Sequence, residues 1–326
     1  MHKIYSGIIL VCIILVFQGT QSAEGVIFEP IPPVKHPLDN PWSQEKLDLG
    51  KKLFFDPILS GDNSISCASC HKPELGWADG LEKAKGFKQK VLARNAPTIL
   101  NSGYLKSQFW DGRAPSLEEQ AKAPIQSPVE MNQDIDELIE ELKNEQEYVG
   151  LFRKTFGNGE INLEKIVQAI ATFERSIISS SGAYDRFWQG DKEALSIKAK
   201  KGMELFFGKA KCSICHNGPF FTDHQFHNIG VSASGKTDLG RQQVTGEQFH
   251  KGAFKTPGLR DLVLTGPYMH NGTLSTLEEV IEFYDQGGES NVNKSPFITS
   301  IGLNAREKEN LVEFMKSLTS DAPHKY

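Results

Sequence analysis

The hydrophobic positions of this chain recur at helical spacing. Leu47, Leu49, Leu53 and Phe54 follow Ser43, a residue type that caps helix starts, with Glu45 just behind it. Ser116 caps a helix expected to Ala123, with Glu118 and Glu119 in its first turn. Ile135, Leu138, Ile139 and Leu142 form one apolar face, and Leu163, Ile166, Val167, Ile170, Phe173 and Ile177 form a stronger one behind the cap Asn162. Ala199, Met203 and Phe206 resume the period, and Leu277, Val280, Ile281 and Tyr284 share a face behind Thr276, where Glu279 completes a capping box. A last helix carries Leu311, Phe314, Met315 and Leu318. Nothing alternates with period two for long, so the pattern predicts a mainly α fold.

Between these elements lie a proline-rich arm, Phe28 to Pro41, and two long irregular stretches, Lys72 to Asn95 and Gly218 to Gly258. Ahead of the arm, His2 and Lys3 precede the apolar run Ile8 to Phe17, which ends in polar residues before Ala23. That run is too short for a membrane, which needs about 20 residues. Residues 1–23 therefore read as a cleaved secretory signal, which places the mature protein in the periplasm with no membrane contact. Lys3 is the one formal charge in that segment, so the net charge moves from −5 to −6 on cleavage. No basic stripe for nucleic acid is present.

Composition adds little until the cysteines are placed. Of five, Cys12 leaves with the signal; the other four stand in Cys67-Ala68-Ser69-Cys70-His71 and Cys212-Ser213-Ile214-Cys215-His216. C-x-x-C-H is the attachment signature of c-type haem: two thiols add to the vinyl groups, and the histidine ligates iron. No further C-x-x-C completes a four-ligand zinc site. Two such motifs in 326 residues predict two cytochrome c-like units related as a twofold repeat, 24–185 and 186–326, divided at the Ser179–Gly182 break. The last helix stays with the second unit or returns to the first.

The second axial ligands decide whether such haems carry electrons or activate a substrate. Residues 72–130 contain neither histidine nor methionine, so the His71 iron is expected to have an open position. His36 in the upstream arm is the one candidate left standing. His224, His227 and His250 lie together in the second long loop, either as a metal cluster or as solvated histidines.

The motifs Arg94-Asn95-Ala96-Pro97-Thr98, Phe109-Trp110-Asp111-Gly112-Arg113-Ala114, Pro128-Val129-Glu130-Met131 and Leu264 to Gly272, joined to the two haem motifs, resemble the bacterial dihaem cytochrome c peroxidase family, including its MauG branch. The resemblance covers roughly residues 40–320. It implies that hydrogen peroxide reacts at the N-terminal haem and that the C-terminal haem handles electrons. By the same resemblance Glu130 is the acid/base for O–O cleavage, Gln120 orients it, and Trp110 is the relay between haems; alone, Glu130 reads as a surface acid and Trp110 as a core tryptophan. Asn95 by its side chain, with Thr265 and Pro267 by their carbonyls, matches the family's calcium site.

Two departures place the chain nearer the MauG branch. Phe87 stands where the peroxidase branch has a gating histidine, and Tyr284 stands where it has a methionine ligand to the second iron. Tyrosinate favours higher iron states, so the His216/Tyr284 haem is expected to share oxidising equivalents. Met269 and Met315 remain alternative ligands, and Tyr284 also fits a core position. The expected electron donor is a tryptophan or tyrosine on a partner protein, or else a small cytochrome or copper protein; a non-enzymatic carrier with both irons six-coordinate is the remaining reading.

Overall fold

The computed structural model describes residues 29–179, 181–231 and 238–322. The expected signal, residues 1–23, lies outside them. Five helices build the first half: α1 (Gln44–Phe55), α2 (Leu117–Gln126), α3 (Ile135–Asn144), α4 (Gln146–Phe156) and α5 (Leu163–Glu174). The side chains of Ser43, Ser116 and Asn162 accept the amides of Lys46, Glu119 and Lys165, which satisfies donors left open at each helix start. The second half holds α6 (Ala183–Trp188), α7 (Ile197–Phe207), α8 (Gln242–Thr245), α9 (Leu277–Gln286) and α10 (Ala305–Lys316). Within the loop between α7 and α9, two short strands, β1 (Phe226–His227) and β2 (Phe254–Lys255), pair antiparallel with Phe226 opposite Lys255.

Each half has its own apolar core. The first runs from Leu49 to Ile177 and the second from Tyr184 to Leu318. In the first, α1 lies against α5 so closely that a Cβ on Gly50 would stand 1.9 Å from the Ala169 carbonyl oxygen; in the second, Gly202 of α7 meets Asn310 of α10 at the same 1.9 Å. Helix α10 therefore belongs to the second half. The aromatic contents correspond as well: Phe54, Trp77 and Phe173 pack with centroids 5.2–6.0 Å apart, and Phe206, Phe221 and Phe314 do so at 5.1–6.4 Å. Edge-on pairs of this kind add to simple area burial.

Three helices differ from the sequence expectation. In α4 only Tyr148 and Phe152 are fully buried, so charged neighbours and Gly150 hide its period. The helices α6 and α8, at six and four residues, are too short to show one. The proline-rich arm lies on the first half, where Asn40 Nδ2 donates to Glu118 at 2.7 Å and Tyr104 donates to the Pro32 carbonyl at 2.8 Å.

Candidate haem sites and the cavity between them

Both C-x-x-C-H motifs follow a helix that ends in a tight turn. After α1, Ser60 Oγ accepts the amides of Ser64 and Ile65 and steers the chain into a 3-10 turn at Cys67–Ser69. After α7 the same turn forms at Cys212–Ile214. In each, the histidine amide donates to the carbonyl of the first cysteine, at 3.0 Å for His71 and 2.9 Å for His216. All four thiols are free, and all four line one continuous cavity.

The imidazoles are held alike. His71 Nδ1 lies 3.2 Å from the Trp77 carbonyl and His216 Nδ1 lies 2.9 Å from that of Phe221. With Nδ1–H donating to a carbonyl, Nε2 is left as the ligand nitrogen, the outer-sphere arrangement common to metal-bound histidine. The anchors Trp77 and Phe221 are almost fully buried and take the left-handed conformation, φ 61° and 56°, which large side chains rarely adopt. Burial lowers the pKa of both histidines, so they are neutral, as a metal ligand must be. It also raises the thiols, to about 11 for Cys70 and Cys215 and about 12 for Cys212, with Cys67 higher still.

The cavity has a volume of about 1500 Å³ and reaches both motifs. Ordinary small-molecule pockets span roughly 300–1,000 Å³, so this space suits two large planar groups. Paired thiols, anchored imidazoles and the connected volume together fit two covalently held haems. Trp110, Gln120, Glu130, Asn95, Thr265 and Tyr284 also line the cavity, whereas Pro267 does not. His36 lies outside it, among Arg175, Glu118 and Lys46, so the arm offers the first site no ligand.

Around the first site, Glu130 is pushed above the usual carboxylate range by burial, against the pull of Ser127 and Arg113. Its field reaches the Cys70 thiol. The loop carrying Phe87 crosses Glu130 closely: Phe87 N–H donates to the Glu130 carbonyl at 2.6 Å, and a Cβ on Gly86 would stand 2.1 Å from the Val129 carbonyl oxygen. Phe87 itself is buried outside the cavity lining. Met131 lines the cavity from the first core.

Around the second site, Tyr284 on α9 is raised well above the ordinary phenol range by burial first and by the Cys212 and Cys215 thiols next. Those couplings set the phenol beside the second motif, and only a strong Lewis acid would hold it as phenolate. Met269 and Met315 line the cavity too, the latter from the second core. The three loop histidines do not converge on a metal: His227 pairs with Asp223 at 2.7 Å, His250 bonds Thr245 at 2.9 Å, and His224 Nδ1 is buried without a partner. Cys215 lies within reach of the His227–Asp223 pair but belongs to the haem motif.

A second repeat lies downstream of the haem motifs. Gln108–Ala114 and Tyr268–Leu274 each close with a bridge between their ends, each has a left-handed non-glycine residue (Phe109, Met269) and a left-handed glycine (Gly112, Gly272), and each leads into a capped helix. This register sets Trp110 against His270, Gln120 against Val280, and Pro124 against Tyr284. The place of Tyr284, the expected second ligand, is thus taken in the first unit by Pro124, which has nothing to donate to iron. Sequence reading missed this because the haem motifs are 145 residues apart and the following turns 160.

Comparison with known proteins agrees with this arrangement. A family model for di-haem cytochrome c peroxidase matches residues 44–193. The "Methylamine utilization protein MauG" of Methylorubrum extorquens is 45% identical over 294 residues, covering 88% of this chain and 82% of that protein. The chain belongs to the di-haem cytochrome c peroxidase/MauG family. It is also 38% identical to "Cytochrome-c peroxidase IdrP1" of a Pseudomonas species, over 90% of this chain and 86% of that one. Among solved structures, a MauG-like protein associated with microbial copper homeostasis superposes with a TM-score of 0.84 at 33% identity, covering 90% and 95% of the two chains. As a member of this family the chain is an oxidoreductase of two cytochrome c-like haem units.

Proposed function

We propose that the protein is a periplasmic enzyme that consumes hydrogen peroxide at the His71 site and draws electrons through Trp110 from the His216/Tyr284 site, which oxidises an aromatic residue of a partner protein. Residues near 185 divide the two units. Cys67, Cys70 and His71 would hold one haem, and Cys212, Cys215, His216 and Tyr284 the other. The bound haems supply an iron that takes peroxide at an open position and stores oxidising equivalents.

The observation that carries this reading is the asymmetry at one register, Pro124 in the first unit against Tyr284 in the second. Glu130, protonated more readily than an ordinary glutamate, shuttles a proton from the near to the far peroxide oxygen, and Gln120, one helix away in the same cavity, orients it. Trp110 is fixed by its Nε1–H on the Asn95 carbonyl at 3.0 Å. Asn95 spends its amide nitrogen on the Leu81 carbonyl at 2.8 Å, leaving Oδ1 to join Thr265 and Pro267 carbonyls as hard donors for one Ca²⁺.

The deciding experiment is the electronic and EPR spectrum of the ferric holoenzyme, with and without one equivalent of peroxide, beside Tyr284→Met. One high-spin and one low-spin haem, with a peroxide product shared by both and confined to one in the variant, is the expected result. Two low-spin haems inert to peroxide would overturn it and point to Met131 as a sixth ligand. The identity to cytochrome-c peroxidases favours a second reading, peroxide reduction with electrons from a small cytochrome or copper protein. Fast steady turnover of reduced cytochrome c selects it.

A further inference from the structure

The turn that carries Trp110 belongs to the first half, yet it is gripped from the second. Lys255 of β2 donates its amide to the Trp110 carbonyl at 2.8 Å and its ammonium to the Ser107 carbonyl at 2.8 Å. Arg241 donates to the carbonyls of Asp111 and Gly112 at 3.0 and 2.9 Å, and lies over the Phe226 ring of β1. That ring fills the space beside Gly112, where a Cβ would stand 2.2 Å away.

Lys255 is only 8% exposed and lines the cavity with Trp110. The charge that favours its protonated form is Asp111, already paired with Arg94 at 2.7 Å and Arg113 at 3.1 Å. His224 and Lys106 share this neighbourhood and bring no negative charge; Asp223, which acts on His224, is paired with His227 at 2.7 Å, and Asp238 is paired with Arg94 at 2.7 Å. The ammonium is bonded to the same turn that carries the indole, and a cation in a buried wall disfavours positive charge that forms in its vicinity.

We propose that Lys255 is a positioning residue of the electron relay: it fixes the Trp110 turn, and its buried ammonium keeps the oxidised indole short-lived, so the oxidising equivalent passes on to the His216 site. This rests on the reading of Trp110 as relay. In each passage the indole loses one electron toward the His71 site and regains one from the His216 site, so it ends unchanged. Hydrogen peroxide is the oxidant and takes up two electrons and two protons to give two waters.

Burial lowers the Lys255 pKa to about 8, so the ammonium is charged below that pH and neutral above it. The test is freeze-quench EPR of the holoenzyme after one equivalent of peroxide, with the His216-site spectrum and the midpoint potentials of both haems recorded alongside. Lys255→Met is expected to accumulate about tenfold more indole radical than wild type at neutral pH, with haem potentials unchanged, because the opposing charge is gone. The wild-type radical should grow as pH rises through about 8, whereas Lys255→Arg should keep it low throughout, since a guanidinium stays charged. Wild-type radical levels and pH profile in Lys255→Met overturn the proposal. Should that variant not assemble, an equal alkaline rise in Lys255→Arg and wild type overturns it as well. Trp110→Phe separates the two levels: undisturbed transfer to the His216 site in that variant defeats the relay itself, whatever Lys255 does.

Discussion

Glu174 offers a quantitative check on how the first site is built. It ends α5 in the cavity wall, only 4% exposed, and its Oε2 has no hydrogen-bond partner. Arg175 beside it is committed to Glu118, with Nη1 and Nη2 donating at 2.6 and 2.9 Å. Burial therefore dominates and raises the Glu174 carboxyl from 4.5 to about 8, and its charge in turn disfavours the Cys67 thiolate. Each tenfold change in proton affinity is worth about 1.4 kcal/mol, so ionising Glu174 in the fold costs about 5 kcal/mol. Between pH 4.5 and about 8 the unfolded chain releases this proton while the folded chain keeps it, so this group makes stability fall as pH rises across that window. Glu174→Gln keeps the shape and removes the charge. It should match wild type near pH 4.5 and exceed it by up to about 5 kcal/mol above pH 8, as read from urea denaturation of the holoprotein by far-UV circular dichroism. Parallel stability curves for the two proteins across that range would refute the reasoning.

Three further outcomes follow from the same geometry. Glu130→Gln should slow peroxide consumption by about 10²–10⁴-fold with the ferric spectra unchanged, as seen by stopped flow. Gly86→Ala forces a methyl group against the Val129 carbonyl oxygen, so it should displace Glu130 and slow the peroxide reaction while leaving the His216-site spectrum untouched. Glu118→Ala strands Arg175 in a buried setting and should cost about 3–5 kcal/mol in the same denaturation assay.

Covalent attachment, the helical class and most helix starts were legible because they are written in side chains: thiol spacing, apolar period, capping oxygens. What stayed hidden is written in the backbone. The Trp77 and Phe221 carbonyls that aim the two histidines leave no sequence trace, and aromatic residues are the last that propensity would put in a left-handed turn. Glu174 and Lys255 were passed over since charged residues rarely lie inside. Pro124 became informative only when the turns, rather than the haem motifs, set the register. His36 was kept as a candidate ligand because the lack of histidine and methionine in residues 72–130 says nothing of the upstream arm, and its place outside the cavity lining, among Arg175, Glu118 and Lys46, removes it.

From His71 to the bridge at Gln108 the chain takes 37 residues; from His216 to the matching bridge at Tyr268 it takes 52. The surplus falls in the segment that supplies Arg241, Lys255 and Asp238, the last bonded to Arg94 at 2.7 Å. Two copies of one module are thereby made unequal, and the longer one clasps the shorter. A tether alone would let the halves drift, and any current between them would rise and fall with their separation. The clasp joins two beads on a string across the Trp110 turn, through bonds that Asp238, Arg241 and Lys255 of the longer connection make to the shorter one.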